Sequence, residues 1–249
     1  MTPLFCKLFN LVFSNGIYPI KWGTSYIIPL HKSGSKYEPD NYRGISIGDN
    51  IGKLFNRVLN NRLSKFLSER KIIRPEQTGF IEGSRTSDHM FVLRSLIQKY
   101  VKNNSKPLYA CFVDFKRAFP SVSHVCLLYK LKLLGIGSKF YNTIKHMYQN
   151  TFSCVKIDNY RTNLFKCDLG LRQGDNLSPN LFDIFINDLP SYFDESCDPV
   201  QLETKFINSL LYADDVVLLS TSENGLQNCV NKLASFAKDW KMQINLKKT

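Results

Sequence analysis

The stretch Leu210-Leu211-Tyr212-Ala213-Asp214-Asp215-Val216-Val217-Leu218-Leu219 sets two aspartates between two apolar runs. Each run has the character of a core strand, and the pattern reads as two strands that meet at the carboxylates. Adjacent carboxylates in such surroundings repel each other and lose hydration, so a positive charge belongs beside them. A single aspartate makes a good turn residue. Two in succession, without Gly or Asn, fit a turn less well, and a bound metal accounts for both.

Upstream, Pro107-Leu108-Tyr109-Ala110-Cys111-Phe112-Val113-Asp114 is nearly continuous in apolar character and ends in a third carboxylate. It reads as a buried strand with Asp114 either as its cap or as a ligand. If both segments lie in one sheet, Asp114, Asp214 and Asp215 converge. Three oxygen donors without His or Cys suit a hard cation, Mg²⁺ or Mn²⁺. A pair of such ions about 3.5–4 Å apart is the usual device for in-line phosphoryl transfer.

The composition narrows the field further. The chain has 249 residues, 43% of them hydrophobic, with 18 Phe and 12 Tyr. That supports one domain or two closely packed subdomains and excludes disordered or collagen-like classes. Lys and Arg number 33 against 21 Asp and Glu, a net charge of +12 that attracts polyanions and makes nucleic acid the leading partner class. Seven scattered cysteines argue against a disulfide framework or a zinc site. The longest apolar stretch, Ser209 to Leu219, is too short for a membrane span, and the N-terminus lacks a secretory pattern. An intracellular location is expected, cytoplasmic or nuclear.

Around the carboxylates the periodicities predict helices over Leu4 to Phe13, Ile51 to Leu67, Asp88 to Val101, Val125 to Leu134, Ser138 to Gln149 and Glu223 to Trp240. A further helix should follow Ser178 as N-cap with Pro179 at its first position. Tyr26 to Leu30 and Tyr42 to Ile47 read as a basic-tipped hairpin, and Phe152 to Lys166 as a strand pair turning near Asp158-Asn159. Asp194 to Lys205 reads as a surface insertion. This mixed order points to an α+β fold rather than a doubly wound parallel sheet.

Three ordered blocks carry a resemblance. They are Phe112-Val113-Asp114-Phe115-Lys116-Arg117-Ala118-Phe119, then Gly170-Leu171-Arg172-Gln173-Gly174-Asp175-Asn176-Leu177-Ser178-Pro179, then Tyr212-Ala213-Asp214-Asp215. Together they resemble a reverse transcriptase, most closely those of retrotransposons without long terminal repeats (LINE-like elements). Ile28-Pro29-Leu30-His31-Lys32, Asn41-Tyr42-Arg43-Gly44-Ile45-Ser46, Gln77-Thr78-Gly79-Phe80 and Asn245-Leu246-Lys247-Lys248-Thr249 are further marks. The resemblance runs from about Leu4 to Thr249.

It implies a right-hand fold with fingers over 1–106 and palm over 107–249, a fingers-type helical excursion near 123–150, and no thumb. It also implies two Mg²⁺ ions on Asp114, Asp214, Asp215 and the backbone carbonyl of Phe115. Lys32 and Arg43 would grip the triphosphate, a task suited to a point charge and a bidentate fork. Phe119 would stand beside the incoming sugar and exclude a 2′-hydroxyl, Gln173 near the nascent base pair, and Lys248 would protonate pyrophosphate. Without the resemblance, Phe119 reads as core and Lys32 and Arg43 as solvated.

The implied activity is RNA-directed DNA synthesis on an RNA template with a DNA primer and deoxynucleoside triphosphates. The chain would belong to a longer polyprotein with endonuclease and thumb. Two other readings stand beside it: an inactive, RNA-binding remnant, and a palm-type nucleotidyl cyclase or small-molecule nucleotidyltransferase. The cyclase leaves the Gln173 block and the basic hairpin unexplained. Three departures from the family pattern bear on the site. Pro120 and Ser123 stand where aspartates are usual, Asp175-Asn176 follow the Gln-Gly turn and put a negative charge near the expected template path, and Ile81 replaces a common arginine.

Overall fold

The computed structural model describes residues 2–249. In chain order the elements are α1 (Thr2–Asn15), α2 (Ile20–Gly23), β1 (Thr24–His31), β2 (Tyr42–Gly48), α3 (Asn50–Glu69), α4 (Thr86–Ile97), β3 (Tyr109–Asp114), α5 (Ala118–Ser121), α6 (His124–Leu133) and α7 (Ser138–Gln149). There follow β4 (Phe152–Ile157), β5 (Tyr160–Arg161), β6 (Phe165–Lys166), α8 (Ser178–Ile186), β7 (Val200–Leu202), β8 (Lys205–Ile207), β9 (Ser209–Tyr212), β10 (Asp215–Ser220) and α9 (Glu223–Asp239). The fold is α+β. It divides into two compact units, each drawn from two stretches of sequence: 1–66 with 122–181, and 67–121 with 182–249.

In the first unit β1 and β2 form the expected hairpin, with Leu30 opposite Arg43 and His31 opposite Tyr42. Strand β4 lies parallel to β1 on the other side, and β5 and β6 both pair with β4. The parallel pairing was not predicted, because β1 and β4 are separated by α3 to α7 and nothing local marks them as neighbours. Helix α7 buries Phe140, Thr143, Ile144, Met147 and Tyr148, one face at helical spacing. A second cluster forms where Trp22 meets Phe9, Tyr18 and Phe55 with ring centroids 5.6–6.1 Å apart.

In the second unit β10 is the centre of an antiparallel sheet ordered β3-β10-β9. Val216, Leu218 and Leu219 of β10 are buried. Strand β3 departs from expectation: it is an edge strand, with Ala110 and Phe112 exposed and Val113 buried. A continuous apolar run does not distinguish a central strand from an edge. The segment expected as a surface insertion also differs, since β7 and β8 form a hairpin whose Val200 joins Leu96, Leu210 and Leu219 in the core. The hydroxyl of Tyr100 fixes that hairpin by accepting from the Gln201 N–H at 2.8 Å. With three residues per strand, the hairpin is too short to show a period. Among the described residues no helix is long and apolar enough to cross a membrane.

Candidate active site

The ladder between β3 and β10 sets Asp114 directly opposite Asp215. Hairpin β9–β10 closes through two residues, Ala213 and Asp214, with Tyr212 opposite Asp215. One end of the sheet therefore carries all three carboxylate residues. Like charges directly opposite in a sheet destabilise it, so this end calls for positive charge.

The chain's C-terminal stretch supplies part of it. The backbone N–H of Asn245 donates to the Asp114 carbonyl at 2.8 Å, and its side-chain amide donates to the Asp114 carboxylate at 2.7 Å. Lys248 Nζ stands 3.7 Å from the same carboxylate. The N–H of Lys116 donates to the Gln243 carbonyl, so 243–245 continue the sheet on the outer edge of β3. That bridge does not engage the carbonyl of Phe115, whose ring is buried. Asn245 as a partner of Asp114 was missed in the sequence. Its only signal was its place in the stretch that ends in Lys248.

Phe119, at the start of α5, stacks on Phe182 with centroids 4.5 Å apart and meets the edge of Phe80 at 6.1 Å. It is half-buried, so the aromatic packing orients a ring that still reaches the surface. Pro120 sits inside the single turn of α5, where a missing N–H leaves no helical bond unmade.

The remaining candidates belong to the first unit. Lys32 continues the hairpin ladder, its N–H donating to the Asn41 carbonyl at 2.9 Å. The two-residue period puts Lys32, Leu30 and Arg43 on one face of the hairpin, with both cations exposed. The carbonyl of Gln173 accepts from the Ser46 N–H of β2 at 2.9 Å, so the Gln173 turn is tied to the same hairpin. Arg172 anchors that turn by donating to the Trp22 and Gly23 carbonyls and to Thr151 Oγ1. His124 Nε2 lies 2.8 Å from the Gly170 carbonyl, and burial lowers the imidazole pKa. Ser123, where an aspartate is usual, still caps α6 by accepting from the Cys126 N–H.

Asp175, the negative charge expected near the template path, is engaged by neighbours in its own unit. Its carboxylate accepts from Asn56 Nδ2 at 2.8 Å and from the Leu177 N–H at 3.3 Å. Burial raises its pKa, against the pull of Arg172. It braces α3 against the turn.

Among the described residues no three His, Cys, Asp or Glu side chains converge closely enough to form a metal cage. The donors are nevertheless all oxygen, with two carboxylates face to face and a peptide carbonyl beside them. Mg²⁺ is ordinarily held in this way, by one or two carboxylates with water and substrate phosphates completing the shell. The residues fit such an ion.

Carboxylates paired at the end of an antiparallel sheet, in an α+β chain of net charge +12, are the arrangement that a nucleotidyl-transfer protein acting on nucleic acid would need. A family model for reverse transcriptases (RNA-dependent DNA polymerases) matches residues 30–249. The chain belongs to that family, as a reverse transcriptase domain of the kind found in non-long-terminal-repeat retrotransposons. It is 29% identical over 252 residues to a probable RNA-directed DNA polymerase from transposon BS of Drosophila melanogaster, covering 97% of this chain and 27% of that protein. It is 28% identical over 249 residues to the RNA-directed DNA polymerase from mobile element jockey of the same fly, covering 97% and 26%. The chain thus spans about a quarter of the length of these relatives. Among solved structures, an apo telomerase from Candida tropicalis shares the fold with a TM-score of 0.68 at 13% identity, over 99% of this chain and 48% of that one.

Proposed function

We propose that this chain is the fingers and palm of an RNA-directed DNA polymerase. It extends a primer 3′-hydroxyl with deoxynucleoside triphosphates on an RNA template. The primer hydroxyl gives up its proton to solvent as its oxygen forms a bond to the α-phosphorus, the bond from that phosphorus to the β-phosphate oxygen breaks, and pyrophosphate leaves. The cross-strand pairing of Asp114 with Asp215, beside the Asp214 turn, carries this reading.

Two Mg²⁺ ions, held by Asp114, Asp214, Asp215 and the Phe115 carbonyl, would lower the pKa of the attacking hydroxyl and stabilise transition-state charge. Asn245 holds the Asp114 carboxylate in one orientation. Lys248 donates a proton toward the leaving pyrophosphate, and its place beside Asp114 supports that role. Lys32 and Arg43 grip the triphosphate from one hairpin face, and Gln173 meets the nascent base pair. Phe119 keeps the site for deoxynucleotides, its ring held by Phe80 and Phe182.

The fingers cover 1–106 and the palm 107–249 in this reading. That 122–181 cluster with the first unit supports a fingers-type excursion near 123–150, while 67–106 pack with the carboxylate sheet. The partners are RNA template, DNA primer and further domains of a longer polyprotein.

Primer extension on an annealed RNA template with Mg²⁺ and four deoxynucleotides, run beside Asp214→Asn, tests the proposal. Product from the parent and none from the variant, with RNA binding retained, is the expected result. Undiminished synthesis by Asp214→Asn would overturn the carboxylate assignment. No product from the parent, with template still bound, would favour the inactive RNA-binding remnant.

A further inference from the structure

Just before Phe80, the stretch Glu76-Gln77-Thr78-Gly79 contacts no reacting group in the proposed mechanism, yet it packs against the turn that presents Asp214. Glu76 and Thr78 exchange backbone hydrogen bonds with Leu211: the Leu211 N–H donates to the Glu76 carbonyl at 2.8 Å, and the Thr78 N–H donates to the Leu211 carbonyl at 3.0 Å. Gln77 between them is 4% exposed. Its Oε1 accepts from the Ala213 N–H at 2.9 Å and from the Gly79 N–H at 2.7 Å, while Nε2 donates to the Ala213 carbonyl at 3.2 Å.

Ala213 has φ +57°, the left-handed region that side chains with a Cβ rarely adopt. Such a conformation persists where its surroundings over-determine it. Here one carboxamide pins both peptide groups of Ala213, and the second of these leads directly into Asp214. Gly79 makes the approach achievable, because a Cβ there would stand 2.1 Å from the Ala213 nitrogen.

We propose that Gln77 is a positioning residue. Its carboxamide locks Ala213 at positive φ and so sets the direction in which Asp214 and Asp215 leave the hairpin. Leucine at 77 could fill the space but neither donate nor accept, and an ionised glutamate would lose the donor to the Ala213 carbonyl. The catalytic consequence rests on the polymerase reading, whereas the lock itself does not.

The test uses Gln77→Leu, Gln77→Glu and the double variant Gln77→Leu with Ala213→Gly, each in the 249-residue chain. Amide hydrogen exchange, followed by mass spectrometry without metal or nucleic acid, reads the lock directly. Gln77→Leu should lower the protection of the 211–216 peptide at least tenfold and leave peptides of α9 unchanged. Gln77→Glu should lose the same protection at neutral pH and regain it as the pH falls, once the protonated carboxyl can donate again. Glycine adopts positive φ without strain, so Ala213→Gly should recover at least half of the primer-extension rate lost in Gln77→Leu.

In that assay Gln77→Leu should reduce kcat at least tenfold with the KM for deoxynucleotides and the affinity for primer–template within twofold of the parent. Unchanged hairpin protection in both single variants would overturn the proposal, as would equal losses of protection across the whole chain. Protection lost as expected in Gln77→Leu, beside a parent that makes no product, would confirm the lock and separately count against the polymerase reading. Should Gln77→Leu fail to fold, the pH-dependent protection of Gln77→Glu decides the question.

Discussion

Asp183 should make this fold less stable as the pH rises. It lies in α8 at 0% exposure, and neither carboxylate oxygen has a hydrogen-bond partner among the described residues. Burial alone raises its pKa from 3.8 to about 8. The folded chain therefore keeps the proton between these values while the unfolded chain has already released it. A state that binds more protons is favoured at low pH, so stability is full below pH 3.8 and falls as the pH climbs toward 8. At about 1.4 kcal/mol for each pH unit, the loss by pH 7 comes to about 4 kcal/mol. Asp183→Asn keeps the shape and a neutral polar group but removes the titration, so it should be more stable than the parent by about that amount at neutral pH. For a chain of this length the gain corresponds to about 10 °C in Tm. Urea unfolding of both proteins at intervals from pH 4.5 to 8.5 is the assay. The two curves should converge at the acid end and separate as the pH rises. A constant gap between them, or a variant less stable than the parent at pH 8, would refute the reasoning.

Other consequences follow from the same geometry. Phe119→Ala should raise ribonucleotide incorporation relative to deoxynucleotide incorporation, measured by competitive primer extension; unchanged discrimination would return Phe119 to a packing role. Gly79→Ala places a Cβ against the Ala213 backbone and should cost about 1–3 kcal/mol of stability in urea unfolding, with parent-like stability counting against the close approach. Asn245→Ala leaves the Asp114 carboxylate without its amide donor and should lower kcat without weakening template binding; a loss confined to binding would contradict the assignment. RNA affinity should fall log-linearly with salt concentration, and a flat response would rule out the electrostatic interface.

Much of the site could be read without coordinates. The apolar runs around Asp214-Asp215 and before Asp114 marked two strand segments ending in carboxylates, because alternation and burial leave a record in local composition. Helices α3 and α7 were equally legible, their buried faces recurring every three or four residues. The hairpin that carries Lys32 and Arg43 was visible for the same reason. The parallel pairing of β1 with β4 and the edge position of β3 were not visible, since a strand's own residues do not name its partner. The β7–β8 hairpin was mistaken for an insertion because its few residues join a core assembled from α4, β9 and β10.

The sequence by itself determined the apolar faces, the order of the blocks, the positive charge and the three carboxylates to which the proposed chemistry is assigned. Tertiary structure alone decided that Asp114 faces Asp215, that Asn245 holds Asp114, and that Gln77 braces a turn 136 residues away. The physical reason is the reach of each signal. Periodicity is imposed by the repeat of a single helix or strand and is complete within about ten residues. A polar side chain that satisfies a distant peptide group interrupts no local pattern, and its partner exists only once the chain has closed on itself.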